Sequence, residues 1–319
     1  MSKTIAGLAA CIAMAVASLH ATAQDFPART IRIVVPFAPG GGSDGIARML
    51  ADRMSTDLRV SVIVDNKPGA SGIIGTETVY RSPPDGYTLL VANSAITSNP
   101  WLYKLPYDTE KLVPVAMLST APQLLAAHPS APFKTFKEMI AYAKANPERV
   151  TVATAGAGQL SHLGTEIMEK SAGIRVTKVH YKGSGNALAD LLGGQIHVSF
   201  GTAPGLIPHI KAGKLVALAT SGAARIKSLP EVPPIGDTLP GYDLVNWFAI
   251  FAPPQTPKAV VDKLYQSAAR ALAQPAFVDK LASDGFEPKA LSPEEFDRLF
   301  RSELAYWQKF VQDTGLKID

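Results

Sequence analysis

Short β-branched runs alternate with helical periodicity along most of this chain, and that alternation limits the fold more than any other feature. The runs are Ile31–Val35, Val60–Asp65, Tyr87–Ala92, Val150–Thr154, Val176–Tyr181, Ile196–Phe200 and Leu215–Thr220. Between and after them, helical spacing predicts helices at Ile46–Met54, Phe136–Ala145, His162–Ser171, Ala187–Leu192, Pro257–Ala273 and Pro293 to about Val311. Strands separated by helices imply an α/β fold with mostly parallel sheets flanked by helices. At 319 residues, 47% of them apolar, the chain exceeds what one core usually fills, which favours two lobes. No low-complexity linker separates them, so strands must cross between lobes. Val113–Ala127 and Val245–Ala252, extended, apolar and edged by prolines, are the candidates. The expected division is 24–118 plus 248–319 for lobe one and 119–247 for lobe two.

Lys3 precedes an apolar run from Ile5 to Leu19 that ends in Ala21-Thr22-Ala23. This reads as a signal peptide, residues 1–23, cleaved after Ala23; the run is shorter than the roughly 20 residues that span a bilayer. Leu8-Ala9-Ala10-Cys11 matches a lipobox, but the apolar stretch before the cysteine is too short. Cys11 is the one cysteine, so the mature chain has no disulfide, thiolate metal site or cysteine nucleophile. A formal charge of +4 without a long Lys/Arg run gives no footprint for a phosphate backbone, and nucleic acid is excluded as a partner.

Pro36-Phe37-Ala38-Pro39-Gly40-Gly41-Gly42-Ser43-Asp44-Gly45 is the most chemical-looking segment, with Ser43 or Asp44 placed to cap the helix that follows. Gly40, Gly42 and Gly45 satisfy G-x-G-x-x-G, with Asp65 at the distance of a dinucleotide-binding acid. Two prolines between Val35 and Gly40 oppose the tight turn that motif needs. Gly41 to Gly45 also fit G-x-S-x-G, the elbow of a serine hydrolase using Ser43, yet the elbow here follows the first strand rather than several. A third reading uses more of the physics. A glycine loop before a helix presents backbone N–H groups and the positive end of the helix dipole, a seat for an anion. Its glycines let the backbone approach a ligand and adopt positive φ. Thr154 to His162 and Tyr181-Lys182-Gly183-Ser184-Gly185 repeat the arrangement. Three such helix starts in two lobes point to one cleft.

Ile33-Val34-Val35-Pro36-Phe37-Ala38-Pro39-Gly40-Gly41-Gly42-Ser43-Asp44 resembles the opening of the Bug family, the binding proteins of tripartite tricarboxylate transporters. Asn66-Lys67-Pro68-Gly69-Ala70, Pro84-Asp85-Gly86-Tyr87-Thr88-Leu89-Leu90, Ser161-His162-Leu163, Tyr181-Lys182-Gly183-Ser184, Leu191-Leu192-Gly193-Gly194-Gln195 and Pro208-His209-Ile210-Lys211-Ala212-Gly213-Lys214-Leu215 follow in family order. The resemblance spans nearly the whole mature chain. It implies a two-lobed periplasmic binding protein, type II-like, expected to act as a monomer without a cofactor. Such a protein closes on a small carboxylate and presents it to the membrane permease subunits of a tripartite tricarboxylate transporter. It is not an enzyme family.

Carried over residue by residue, the first carboxylate seat falls on Phe37, Gly40, Gly41, Gly42, Ser43 and Asp44. The second falls on Thr154, Ala155, Gly158, Ser161 and His162, with Asn93 and Ser94 on the loop after the third strand and Tyr181 before the third glycine loop. Where many members have Phe-Asp-Asn, this chain has Phe200-Gly201-Thr202, so any ligand contact made there by the acidic residue is lost, while Thr202 stays a candidate ligand contact. Lys182 reads as a solvated charge before it reads as a counter-ion, and His162 serves a structural hydrogen bond as readily as a ligand. His180, His197 and His209 lack metal-site spacing. Trp101, Trp247 and Trp307 read as core or hinge packing. Two other readings stay open: the same cleft reporting to a membrane sensor kinase, and the exported hydrolase built on Ser43. The resemblance leaves the ligand open among acidic amino acids, di- and tricarboxylates, aromatic acids and nicotinate-like rings.

Overall fold

The computed structural model describes residues 26–315; the expected signal peptide and the lipobox lie outside them. Among the described residues ten strands form one continuous sheet: β1 (Ile31–Val35), β2 (Val62–Asn66), β3 (Thr88–Asn93), β4 (Val113–Ala127), β5 (Thr151–Thr154), β6 (Thr177–His180), β7 (Val198–Thr202), β8 (Val216–Thr220), β9 (Val245–Ala252) and β10 (Glu287–Leu291). Their order is β2-β1-β3-β9-β4-β7-β5-β6, with β8 and β10 paired to β4 off this path. Each lobe holds a parallel trio, β2-β1-β3 in the first and β6-β5-β7 in the second. The antiparallel pairs all involve the strands that cross or edge the hinge.

β4 changes partners along its length. Val113 to Pro122 pair with β9, whereas Gln123 to Ala127 pair with β7. Pro122 ends the first pairing, and a proline, lacking an N–H, suits the point where one ladder stops and another starts. Asn246 to Ala252 of β9 are all buried, as expected of a strand covered on both faces.

The helices are α1 (Gly42–Leu58), α2 (Ile73–Tyr80), α3 (Ala95–Leu102), α4 (Phe136–Ala145), α5 (Leu160–Ala172), α6 (Ser184–Leu192), α7 (Ala203–Lys211), α8 (Lys258–Leu272), α9 (Pro275–Ser283) and α10 (Pro293–Thr314). The sequence reading places β4, β9 and α4 at these bounds, and it lacks α2, α3, α7, α9 and β10. Each lobe has its own apolar layers. Ile33, Ile46, Leu50 and Leu264 are buried together in the first lobe. Leu125, Phe136, Met139 and Phe200 are buried together in the second. The C-terminal helix α10 packs Phe296 and Phe300 against Trp247 and Phe251. It then carries Trp307 onto Leu160 and Leu163 of α5, so the helix reaches from one lobe to the other beside the hinge. Its Glu303 accepts from Trp247 Nε1 at 2.8 Å. Burial pushes that carboxyl above its usual range, although Trp247 and Thr97 hold it partly down.

At α4, Thr135 Oγ1 accepts from Glu138 N at 3.2 Å while the Glu138 carboxylate returns to the Thr135 amide, closing a capping box. The cap starts the helix that buries Phe136, Met139 and Ile140. Because Thr135 itself is exposed, Thr135→Ala removes the cap and little packing. We expect a loss of about 1 kcal/mol, read as a fall in melting temperature of roughly 2 °C.

Candidate ligand cleft

The first glycine loop joins β1 to α1, and its geometry departs from the sequence reading at the cap. Gly41, not Ser43 or Asp44, is the N-cap residue, and no side chain caps the helix. Asp44 instead reaches back: its Oδ2 accepts from Gly40 N at 3.0 Å and from Arg48 Nε at 3.0 Å, and its Oδ1 accepts from Asn66 Nδ2 at 3.0 Å. Asn66 Nδ2 also bonds the Phe37 carbonyl at 3.0 Å. Burial alone would raise the Asp44 pKa, yet Arg48, the Gly40 amide and Asn66 together hold it below the usual carboxylate range. The acid braces the loop from within. The first-turn amides of Gly42, Ser43 and Asp44 have no intrahelical acceptor, and they carry the positive end of a 17-residue helix. Of the three glycines only Gly40 has a left-handed φ, 86°. A Cβ at Gly41 would meet Ser184 Cβ at an ordinary 3.6 Å, whereas one at Gly42 would stand 2.9 Å from Thr202 Oγ1 and 3.0 Å from Phe248.

The second loop, between β5 and α5, is tied down in the same way. Ala155 N donates to Ser161 Oγ at 2.9 Å and Gly158 N to His162 Nδ1 at 3.0 Å. Because Nδ1 accepts, the ring proton sits on Nε2, which faces Glu166 Oε1 at 3.3 Å. Glu166 in turn pairs with Lys178 at 2.7 Å. Thr154 Oγ1 lies 2.7 Å from His180 Nδ1, and the two imidazoles meet edge to face at 4.6 Å. The structure therefore gives Ser161 and His162 the work of shaping the loop. Tyr181 donates to Asp190 at 2.6 Å, and Lys182 is exposed.

The third loop abuts the first. Ala38 N donates to the Lys182 carbonyl at 3.2 Å. A Cβ on Gly183, whose φ is 130°, would lie 3.1 Å from Ala38 N. The lobes also touch at the second loop. Ala157 O accepts from Tyr103 OH at 2.6 Å and from Ser71 Oγ. Gln159 Nε2 donates to Ser71 O at 2.9 Å, and Asn93 Nδ2 to Gln159 Oε1 at 3.3 Å. Ser98 Oγ reaches Gly158 O at 3.4 Å. The lobes thus meet in a closed arrangement, in which loops that lead into helix starts touch across the boundary between them. Ser94 is turned to the hinge, its Oγ donating to Asn246 Oδ1 at 2.7 Å. Thr202 Oγ1 is buried without a hydrogen-bond partner among the described residues.

Ser71, Tyr103, Gln159 and the Asn66–Arg48 brace are absent from the sequence reading. Ser71 has a φ of 53°, a conformation that its residue type does not advertise, and the other contacts join residues far apart in the chain. Neither enzyme motif finds its partners. No described histidine hydrogen-bonds Ser43; the ring nitrogens of His162, His180 and His197 face Gly158, Thr154 and Thr151. A Cβ on Gly45 would meet open space, so the third glycine serves no close packing, and Asp65 lies 3.8 Å from Arg32 and 3.7 Å from Lys67.

The sequence model of the tripartite tricarboxylate transporter family receptor matches residues 46–316. The chain belongs to this family. Among solved structures, the periplasmic binding protein BugD is 33% identical with a TM-score of 0.88, covering 92% of this chain and 100% of its own. Rpa4515 of R. palustris, solved with adipate, is 32% identical with a TM-score of 0.88 and the same coverage. MatC from Rhodopseudomonas palustris, with bound malate, is 31% identical with a TM-score of 0.82, covering 90% of this chain and 100% of its own. The chain is a two-lobed solute-binding protein of this receptor family, not an enzyme. Among its described residues no helix is long and apolar enough to cross a membrane.

Proposed function

We propose that this receptor captures a small carboxylate between its lobes in the periplasm and delivers it, as a monomer, to the permease subunits of a tripartite tricarboxylate-type transporter. The observation that carries the reading is the first turn of α1. Its amides lack intrahelical acceptors, its own acid is turned back onto Gly40 and Arg48, and the second lobe closes against it. An anion is the ligand such a helix start favours. The carboxylates held by Rpa4515 and MatC support the class. The exchange of β4 pairing between Pro122 and Gln123 supports a division near 24–118 plus 248–319 and 119–247, with both crossing strands shared.

A thermal-shift screen over a carboxylate library tests the reading. A ligand at 100 times its Kd stabilises the protein by about 2.7 kcal/mol; a library that moves no melting curve would refute carboxylate capture. Lys182 is exposed, so its charge is screened by solvent and salt. Lys182→Ala should change affinity less than about threefold at physiological salt, measured by calorimetry.

A further inference from the structure

Gln123 is the first residue of β4 to pair with β7, directly opposite Thr202. Opposed residues in an antiparallel pair project to the same face. Two residues inward on the same strands, Leu125 and Phe200 lie in one buried layer of the second lobe. Gln123 and Thr202 therefore continue that face outward to the carboxyl end of β7, where α/β sheets meet their ligands. Thr202 Oγ1 stands 2.9 Å from where a Cβ on Gly42 would be, so this end of the strand pair is turned onto the first-turn amides of α1.

Gln123 is 4% exposed and Thr202 5%, yet neither Gln123 Oε1 nor Thr202 Oγ1 has a hydrogen-bond partner among the described residues. The Gln123 main chain, in contrast, is fixed: its N donates to Ser221 Oγ at 2.8 Å and its carbonyl accepts from Ser221 N at 2.9 Å. Buried amides are almost always paired, because leaving one unpaired opposes folding. Leu124, Leu125 and Ala126 follow as fully buried apolar residues, so the fold itself asks for nothing polar at position 123.

We propose that Gln123 and Thr202 read an uncharged polar substituent of the ligand. The cleft thereby selects carboxylates that carry a hydroxyl near the seated carboxylate over those with bare methylenes there. The inference rests on the carboxylate reading above. The α1 amides donate and so serve the anion, while an amide and a hydroxyl each both donate and accept. A ligand hydroxyl, also donor and acceptor, matches them; a methylene leaves both unpaired. Sites built to bond a substrate hydroxyl reject the analogue lacking it for this reason.

The test is calorimetry with three matched probe pairs, lactate and propionate, malate and succinate, mandelate and phenylacetate, on the wild-type protein, Gln123→Met and Thr202→Val. In the pair that binds best, the wild type should prefer the hydroxylated member tenfold or more. Gln123→Met should bring that preference within about twofold, by weakening the binding of the hydroxylated member. Because an apolar group of similar shape replaces a buried amide whose oxygen is unpaired among the described residues, the unliganded Gln123→Met protein should melt no lower than wild type. Wild-type binding without a hydroxyl preference, a preference that survives in Gln123→Met, or a clear fall in its unliganded melting temperature would each overturn the inference and leave carboxylate capture standing. If none of the six acids binds the wild type while other carboxylates do, the substituent assignment is again what fails; if no carboxylate binds at all, both fall together.

Discussion

Gly185→Ala should hold the two lobes apart and lower ligand affinity a hundredfold or more. A Cβ at Gly185 would stand 2.0 Å from the Pro39 carbonyl oxygen, and its other near neighbours, Pro39 C and Gly40 C, also belong to the first loop. The clash thus lies entirely across the cleft. The loop has little room to retreat, since Asp44, Arg48 and Asn66 pin it from behind. Within its own lobe the substitution is benign, because Gly185 lies in the first turn of α6 and alanine favours helix over glycine by about 1 kcal/mol. The unliganded protein should therefore melt at or above the wild-type temperature. Binding measured by calorimetry should weaken by about 2.7 kcal/mol or more. Unchanged affinity would show that the ligand does not need this approach of the lobes.

Acidification should loosen the second loop, and His162 sets the range. Burial first, then His180 and Lys178, push its pKa from 6.5 down to about 4, against the pull of Glu166. An unfolded chain therefore binds the proton more readily than the folded one. The stabilisation is complete above about pH 6.5 and is lost as pH falls toward 4, on the order of 2–3 kcal/mol. Burial and Lys178 also lower the pKa of His180, partly opposed by Glu166, so the two rings resist charging together. A proton on His162 Nδ1 would face the Gly158 N–H, donor against donor, and loosen the loop that bonds Ser71 and Tyr103 across the cleft. Melting curves from pH 7 to 4 should show a wild-type loss that His162→Gln, which cannot charge, lacks. Superimposable pH profiles for the two proteins would contradict this role.

The parts of the fold legible in the sequence are those whose pattern is local. β4 and β9 are long apolar runs, β4 with Pro114 and Pro122 inside it and β9 followed by Pro253, and both stand out in the composition. The helices that escape reading carry breakers or polar residues within short spans: α3 contains Pro100, and α7 contains Pro204 and Pro208. β10, Glu287–Leu291, is largely exposed and holds Pro288, so it lacks the alternation of a buried strand. The glycine loops were legible as helix starts because glycine clusters and a following apolar period appear in one stretch of chain. Their internal bracing was not. Asp44 reads as a cap but bonds backward to Gly40, and His162, which the sequence leaves open between a structural bond and a ligand, accepts from Gly158. Which polar groups stay unpaired, as Thr202 and Gln123 do, depends on strands joined only in the folded sheet.

Small-angle scattering with and without a saturating carboxylate tests the two-lobe clamp most directly. Only the closed state brings helix starts from both lobes to one anion, so ligand binding must shift the population toward it. The account predicts that the radius of gyration of the wild-type protein falls on ligand addition, while Gly185→Ala keeps the larger value under the same conditions. A radius unchanged in the wild type, at a ligand concentration where calorimetry shows the site filled, would contradict it.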